Sequence, residues 1–377
     1  MGAFSRPTIE TPRISEHFDW IVRPMEARDD KQYLELQRAE PERGWINIDV
    51  HYRPDQSPYE LLTQRRQQAV FVAEVPAGHL DAGRVVGVGA ADPRKVWFES
   101  VPVQAVHLHN LMVHPDYRHK GIATTLIQKR VQWARETFGQ NVLLFAELDQ
   151  NNMAAFKAAA KWATDFTQPR ESGFLLARAD EPKNPDSYAI HEAREEDYPA
   201  IVRGLNTFNH DIDFTRVVDA DRLHRNLAPI DGITFRHRYV VQSKGEIVGG
   251  AVLTQHDPSV ESRVISGRPI NVLVARLSKM IHEGGEVRYG EVDGIWFKEG
   301  CQDAVHYLIQ ELLFKAGQDK TTTDAINFTV INPKVWEAVQ LPRWQPHTIE
   351  CIAYLAPAML DPLPLSADQV GEWMSVV

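Results

Sequence analysis

The feature that most constrains the fold is a repeated order of strands and helices in the two halves of the chain. Each half begins with a short strand and an Ala-Arg-acid-acid helix start, at residues 20–36 and again at 188–202. Each half then predicts a β-hairpin, a strand followed by a helix, and a further strand that leads to an asparagine. A matching order at matching spacing favours an internal duplication of an α/β (α+β) unit.

The length of the chain also indicates two domains, because 377 residues exceed what one ordinary core contains. Residues 179–187 are rich in proline and charge, which is typical of a linker. We therefore expect an N-terminal domain over residues 1–180, a linker over 181–187, a C-terminal domain over 188–357 and a tail over 358–377.

Composition excludes several classes of partner. The formal charge of -10 argues against a nucleic-acid binder, which needs a basic surface. No apolar run approaches the ~18 residues that span a bilayer, and residues 1–16 lack the apolar core of a secretory signal. The two cysteines, Cys301 and Cys351, are too few for a disulfide framework or a cysteine-rich zinc site. We expect a cytoplasmic monomer or homodimer with no nucleic-acid or membrane partner.

The most informative segment is a strand, a basic turn and a helix over residues 106–138. The alternation of a strand places His107 and His109 on one face, and Pro115 ends the strand. The basic turn 118–123 precedes the helix N-terminus, where free N–H groups and the helix dipole attract an anion such as a pyrophosphate. The turn alone is equally compatible with a solvated loop.

The whole segment is more specific than the turn. Val113-His-Pro-Asp-Tyr-Arg-His-Lys-Gly-Ile-Ala123 resembles motif A of the GNAT N-acetyltransferase superfamily, with the pattern falling on Arg118, Gly121 and Ala123. The resemblance covers residues 20–178. It implies tandem GNAT folds, each a mixed, mainly antiparallel sheet flanked by helices and splayed at the fourth strand, which a bulge usually separates from its neighbour. It also implies acetyl-CoA as the cosubstrate, without a metal.

The resemblance further implies which residues hold acetyl-CoA. The end of the strand would bind the pantetheine arm, the basic turn would bind the pyrophosphate, and the asparagine segment would add a contact. A backbone N–H at the strand end would stabilise the oxyanion of the thioester. The implied cofactor-binding residues are Leu111, Met112, Val113, Arg118, His119, Lys120, Gly121, Ile122, Ala123, Thr124, Asn151, Asn152 and Phe156.

The histidine pair is the candidate catalytic element. Residues 107–114 resemble the corresponding strand of the arylalkylamine (serotonin) N-acetyltransferases, which implies that His107 and His109 relay the substrate proton. An alkylammonium has a pKa near ~10 and needs a base, for which histidine, near ~6.5, is suited. The alternatives are two histidines satisfied by the backbone, or a metal site, for which no further ligands stand at suitable spacing.

Two departures from the family pattern limit what the resemblance implies. The tyrosine expected after the asparagine is replaced by Ala158 or Ala159, which leaves the acid that protonates CoA unidentified. In the second half, Glu299 and Asp303 occupy the loop where a pyrophosphate would need cations. We expect that the second half has lost its cofactor site and shapes the acceptor pocket.

These observations predict an acetyl-CoA-dependent N-acetyltransferase, an acyltransferase for groups other than aminoacyl groups. It would move an acetyl group to the primary amine of a small molecule by direct attack. Trp45 and Tyr52 are candidate acceptor contacts, although an aromatic patch between domains explains them equally well. The competing hypothesis is a catalytically inactive acyl-CoA-binding sensor or assembly protein.

Overall fold

In a computed structural model of the protein, the described residues are 20–39, 46–149, 152–167, 170–176, 180–184, 188–227, 229, 233–255, 257, 259–267, 269–277, 281–287, 289–318, 325–330, 332–339 and 347–358. The elements of the first half are β1 (Ile21–Pro24), α1 (Asp30–Ala39), β2 (Ile46–Tyr52), β3 (Ala69–Glu74), β4 (Val85–Phe98), β5 (Val101–Val113), α2 (Ile122–Phe138), β6 (Leu143–Asp149), α3 (Met153–Ala159), β7 (Asp165–Phe166) and β8 (Arg170–Leu176).

The second half repeats much of this order. Its elements are β9 (Ala189–Glu192), α4 (Tyr198–Asn209), α5 (Ala220–Asn226), β10 (Arg236–Ser243), β11 (Glu246–Thr254), β12 (Val260–Gly267), α6 (Pro269–Leu277), β13 (Tyr289–Phe297), α7 (Gln302–Gln318), β14 (Ala325–Val330), α8 (Lys334–Val339) and β15 (His347–Leu355). The predicted α/β (α+β) class, a mixed sheet flanked by helices, is confirmed.

The strands of both halves join in one continuous mixed sheet. Its order is β1-β3-β4-β5-β6-β15-β8-β14-β13-β11-β10-β9, with β7 alongside β15. The strands β2 and β12, one from each half, form a separate antiparallel pair. In each half a run of antiparallel pairs ends in one parallel pair, which is β5 with β6 in the first half and β13 with β14 in the second.

The last strand of each half pairs with the other half. The final strand, β15, lies antiparallel to β6, with Leu355 opposite Leu144 and Glu350 opposite Asp149. In return, β8 of the first half lies antiparallel to β14 of the second half. The two exchanged strands also pair with each other. The sequence did not indicate this exchange, and the domain boundaries proposed from the sequence stay a prediction.

The longest hairpin of the sheet, between β4 and β5, carries the residues of interest. It turns at Glu99 and Ser100, both of which have positive φ (50° and 60°), as the tightest hairpin turns require. β4 has 14 residues and β5 has 13, and their pairing reaches from Val113 back to Val101. This length brings Asp92 of β4 opposite His107 of β5.

Helix α2 covers one face of the first half of the sheet, with Ile122, Leu126 and Ala134 buried. A segment of the second half lies along the edge of β4, beyond the last residue of β4 that pairs with β3. There the Phe214 N–H donates to the Trp97 carbonyl (2.7 Å) and the Trp97 N–H donates to the Thr215 carbonyl (2.8 Å). Among the residues that the structure describes, no helix is both long and apolar enough to cross a membrane.

Candidate active site

The sheet opens between β5 and β6. Parallel pairing of these strands covers only three positions, from Ala105 opposite Leu143 to His107 opposite Phe145. Beyond His107, the described residues of β5 have no partner on this side, while β6 continues along β15 to Asp149. The two strands therefore diverge and leave a slot whose narrow end lies at His107.

A bulge in β5 accompanies the opening. One residue of β4, Gly89, lies opposite two residues of β5, Asn110 and Leu111. Asn110 has a φ of 49°, a left-handed conformation that asparagine tolerates better than most residues. A bulge of this kind bends its strand and interrupts the ladder. The bulge therefore turns the end of β5 away from β6 and widens the slot.

A buried arginine of α2 fills the gap that the bulge leaves. The side chain of Arg130 is 2% exposed, and its Nη1 donates to the carbonyls of Ala90 (3.0 Å) and His109 (3.1 Å). Its Nε donates to the carbonyl of Leu126 (3.3 Å). Burial lowers the pKa of Arg130 to about 10, so the guanidinium is still charged at neutral pH. A fixed positive charge therefore lies behind the strand that carries the histidines.

The loop before α2 has an unusual backbone. His119 and Gly121 both have positive φ (63° and 84°), and Gly121 directly precedes the first turn of α2. The loop residues His119, Lys120 and Gly121 are exposed, and Arg118 donates from Nε to the carbonyl of Val113 (3.4 Å). Exposed N–H groups at a helix N-terminus beside cationic side chains form a site suited to a phosphate.

Neighbouring side chains hold this loop in place. The Trp20 Nε1 donates to the Lys120 carbonyl (2.8 Å), and the Lys120 Nζ lies 4.8 Å from the centre of the Tyr117 ring. The Tyr117 hydroxyl donates to the carboxylate of Asp81, which raises the pKa of the phenol. From the end of α3, the Lys161 Nζ donates to the Thr124 hydroxyl (2.8 Å) and adds another cation.

His107 lies at the narrow end of the slot and is 8% exposed. An Nη atom of Arg94 lies 2.8 Å from its Nδ1, and the Glu147 carboxylate lies 3.7 Å from its Nε2. A guanidinium can only donate, so Nδ1 accepts and the neutral ring carries its proton on Nε2. Burial, and then the charge of Arg94, holds the pKa of His107 well below its ordinary value.

His109 stacks on His107, with ring centres 5.1 Å apart and an interplanar angle of 15°. Its Nε2 is buried and accepts or donates no hydrogen bond among the described residues. Burial lowers the pKa of His109 to about 4, against a weaker opposing effect of the nearby Asp92 carboxylate. Both histidines are therefore neutral at neutral pH, and His109 has the unused nitrogen.

Arginines from both halves converge next to the histidines. The carboxylate of Asp92, which lies opposite His107 in the register, accepts from Arg94 (2.6 Å) and from Arg216 of the second half (3.2 Å). Burial lowers the pKa of Arg222 on α5, with the charges of Asp92 and Arg94 acting on it as well. The second half therefore adds cationic side chains to the face that carries the histidines.

The predicted cofactor residues lie on the end of β5, on the start of α2 and on α3. Leu111, Met112 and Val113 form the part of β5 that has no partner on the β6 side, and Ile122, Ala123 and Thr124 form the first turn of α2. Asn152 caps α3, with its Oδ1 accepting from the Ala155 N–H (3.1 Å). The ring of Phe156 stacks on Phe166, with centres 5.8 Å apart.

Of the two predicted acceptor contacts, the structure describes only Tyr52, which lies in the core. Tyr52 is 6% exposed and packs in the core beside Tyr33, with ring centres 6.2 Å apart, and burial raises the pKa of its phenol. Trp45 and Asn151 lie outside the described residues. The role of these three residues stays a prediction.

Sequence reasoning missed the polar residues around the histidines and the loop, which are Asp92, Arg94, Arg130, Glu147, Lys161, Arg216 and Arg222. Glu147 carried the one visible signal, because it is a carboxylate within the apolar run of β6. The others reach the site through pairings between distant parts of the chain, which no local pattern records. Among the described residues, no group of histidine, cysteine and acidic side chains is arranged to hold a metal ion.

The splayed strands, the bulge and the loop before α2 define a GNAT-type fold. Residues 31–163 match the model of a family described as the acetyltransferase (GNAT) family. This match covers the slot, both histidines and the loop, and it ends before the second half begins.

Solved structures share this fold over most of the chain. Saccharomyces cerevisiae N-myristoyltransferase with bound myristoyl-CoA has a TM-score of 0.60 at 9% identity, covering 93% of this chain and 82% of that chain. A GCN5-related N-acetyltransferase from Kribbella flavida has a TM-score of 0.51 at 11% identity, covering 89% and 70%. At such low identity the likeness shows the fold alone. No curated protein matches the sequence significantly.

Proposed function

We propose that this protein is an acyl-CoA-dependent N-acyltransferase that moves an acetyl group from acetyl-CoA to the primary amine of a small molecule. The observation that carries the proposal is the slot that opens at His107 and leads to the loop before α2. The match of residues 31–163 to an acetyltransferase family supports it.

In this proposal the cofactor lies along the end of β5. The pyrophosphate binds the N–H groups of residues 119–124, with Arg118, Lys120 and Lys161 supplying positive charge. The pantetheine arm follows Leu111 to Val113, whose edge toward β6 is unpaired. The thioester then lies near the narrow end of the slot, because that end is the limit of the opening.

The reaction is a direct attack. The amine nitrogen forms a bond to the thioester carbon, the carbonyl oxygen becomes an oxyanion, and the C–S bond then breaks to release the thiolate of CoA. An N–H group of β5 beyond the bulge stabilises the oxyanion. With a thiol pKa near ~8.5, the thiolate leaves at neutral pH without a dedicated acid. The reaction therefore does not require the tyrosine that this sequence lacks.

The two histidines take different parts in the proton relay. Arg94 donates a hydrogen bond to Nδ1 of His107, so this ring donates from Nε2 toward Glu147 and does not accept the substrate proton. His109 accepts at Nε2. Its pKa of about 4 is too low to deprotonate an alkylammonium of pKa ~10 in the ground state. The acceptor therefore loses its first proton to water and attacks as the free amine. His109 takes the second proton after attack, when the nitrogen bonded to the carbonyl carbon has become strongly acidic.

One observation favours the second candidate, a catalytically inactive acyl-CoA-binding protein. Both histidines are buried and neutral, and a buried pair stacked on Phe145 (4.9 Å from His107) is also what a packed core contains. The two candidates share the cofactor loop and differ in whether an amine is acylated.

The test is to measure thiol release from acetyl-CoA in the presence of a panel of primary amines. We expect turnover, a higher KM for acetyl-CoA in Arg118→Gln, and a lower kcat with little change in that KM in His109→Gln. Lys157→Gln, which removes an exposed cation from α3, is the matched control and should leave both constants unchanged. Tight binding of CoA without turnover of any amine would favour the inactive binder.

A further inference from the structure

On the face of the sheet that carries the histidines, arginine side chains outnumber the carboxylates that neutralise them. Arg94 and Arg216 share one carboxylate, that of Asp92, at 2.6 Å and 3.2 Å. Arg222 lies within the electrostatic reach of the same carboxylate, with Arg225 on the same helix adding a further repulsive charge. One carboxylate therefore faces three guanidinium groups.

The arginines also have hydrogen-bond donors that the described residues do not use. The Nε of Arg94 and the Nε of Arg222 are buried and have no partner. The side chain of Arg94 is only 9% exposed, so water does not freely replace a missing acceptor. A buried donor without a partner destabilises the folded protein, and the effect is larger for a charged group. An anion bound here would remove that destabilisation.

A carboxylate lies on the other side of the same imidazole ring. Arg94 contacts Nδ1 of His107, whereas Glu147 faces Nε2 from the opposite strand of the slot. Glu147 is about two-fifths exposed at 41%, so a ligand in the slot can reach it. Positive and negative groups are thus separated by the width of one ring, next to the unused nitrogen of His109.

We propose that the acceptor is an amino acid or a similar small molecule that carries a carboxylate close to its primary amine. This inference rests on the proposed function and names its substrate class. The acceptor carboxylate binds Arg94, Arg216 and Arg222, and the ammonium group lies between Glu147 and His109. The second half of the chain then determines acceptor specificity, because it supplies two of the three arginines.

A purely structural role for these arginines makes a different prediction. Arg216 also lies where the second half bridges β4, through the contact of Val96 with Arg216. If its charge only held the two halves together, replacing it would lower stability and affect all acceptors equally. If it binds the acceptor, the loss would fall on acceptors that carry a carboxylate.

The test compares matched acceptors with acetyl-CoA: an α-amino acid, its carboxamide and its decarboxylated amine. We expect kcat/KM for the acid to exceed that for the carboxamide by on the order of 10- to 100-fold, as charge-assisted pairing provides. Arg216→Gln and Arg222→Gln should reduce this ratio by raising the KM of the acid alone. Arg216→Lys should keep part of it, and Arg203→Gln on the exposed side of α4 should keep all of it.

The outcomes separate the two proposals. Acetylation of all three acceptors with equal kcat/KM, or a ratio unchanged in Arg216→Gln and Arg222→Gln, would overturn this inference and leave the proposed function standing. Failure to acetylate these three acceptors and every amine of the panel, with CoA still bound, would overturn both. Thermal unfolding of each variant shows whether a lost ratio comes with a lost fold, and rescue in Arg216→Lys excludes that explanation.

Discussion

The contact between Gly89 and Arg130 allows the role of the bulge to be measured. Gly89 is the single residue of β4 that lies opposite the bulge, and it has no side chain because Arg130 occupies the space. A Cβ built on Gly89 would lie 2.9 Å from Nε, 3.0 Å from Cζ and 3.2 Å from Cδ of Arg130. The substitution Gly89→Ala therefore forces the buried guanidinium to move.

The expected size of the effect follows from two opposing contributions. Alanine in a strand is favoured over glycine by about 0.5–1 kcal/mol where space allows it. Overpacking a buried site costs about 1–3 kcal/mol, and displacement of Arg130 also weakens its bonds to the carbonyls of Ala90 and His109. The cost of overpacking exceeds the preference of the strand for alanine, so we expect Gly89→Ala to lower the free energy of unfolding by about 1–3 kcal/mol.

Arg130→Met provides the second arm of a double-mutant cycle. A pKa of about 10 in the folded state, against 12.5 in a free arginine, means that burying the charge costs about 3 kcal/mol at neutral pH. Methionine removes that cost but leaves two carbonyls without a donor, at about 1–3 kcal/mol each. These contributions have opposite signs and similar size, so we expect Arg130→Met to change the free energy of unfolding by less than about 3 kcal/mol.

Urea denaturation of the parent, both single variants and the double variant gives the coupling energy. We expect Gly89→Ala to cost less in the Arg130→Met background, with a coupling of about 0.5–3 kcal/mol. Both single variants should lower kcat, because each shifts the His109 carbonyl and the end of β5. An equal cost of Gly89→Ala in both backgrounds would refute the argument that Arg130 excludes a side chain at position 89.

Three further predictions concern the loop and the histidines. Lys161→Met should raise the KM for acetyl-CoA several-fold and leave kcat unchanged in initial-rate kinetics, because Lys161 adds charge beside the loop. The pKa of His109 is about 4 in the folded state and near ~6.5 in the unfolded state. The free energy of unfolding should therefore be highest above pH 6.5 and fall as the pH drops toward 4, with a loss of about 2 kcal/mol at pH 5. Urea denaturation between pH 4.5 and 7 should show this loss, and His109→Gln should reduce it. Arg94→Met should raise the pKa of His107 toward its ordinary value, which a proton NMR titration of the imidazole measures.

The parts of the fold that depend on local pattern were predictable from the sequence. The predicted strand, basic turn and helix over residues 106–138 correspond to β5, the loop before α2 and α2, which ends at Phe138. The order of strand, basic loop and helix also located the slot, because a proline, a glycine and an apolar stripe mark those boundaries within a few residues.

The parts that depend on pairing between distant segments were not predictable. Asp92 faces His107 only because of the register of a long hairpin, and Arg216 reaches Asp92 across a separation of 124 residues. The same limit applies to the protonation of the histidines. Their low pKa values come from burial and from Arg94, neither of which is visible in residues 107–114.

The exchanged strands make a final prediction about the two halves. The strand β8 lies antiparallel to β15, which lies antiparallel to β6, so β8 runs parallel to β6. In a fragment of residues 1–187, the edge of β6 that β15 covers in the full chain would be open unless β8 moved beside it, and the pair would then be parallel, which is slightly less stable per residue than the antiparallel pair. The fragment would also lose Ile352 and Ala353, which are 1% and 0% exposed and pack with the first half. An uncovered edge beside an apolar core favours aggregation. We therefore expect the fragment to lack cooperative unfolding and to bind CoA more weakly than the full chain. Two-state denaturation of the fragment at the stability of the full chain, with unchanged CoA affinity, would instead show that residues 1–180 fold on their own and that β15 is dispensable to the slot.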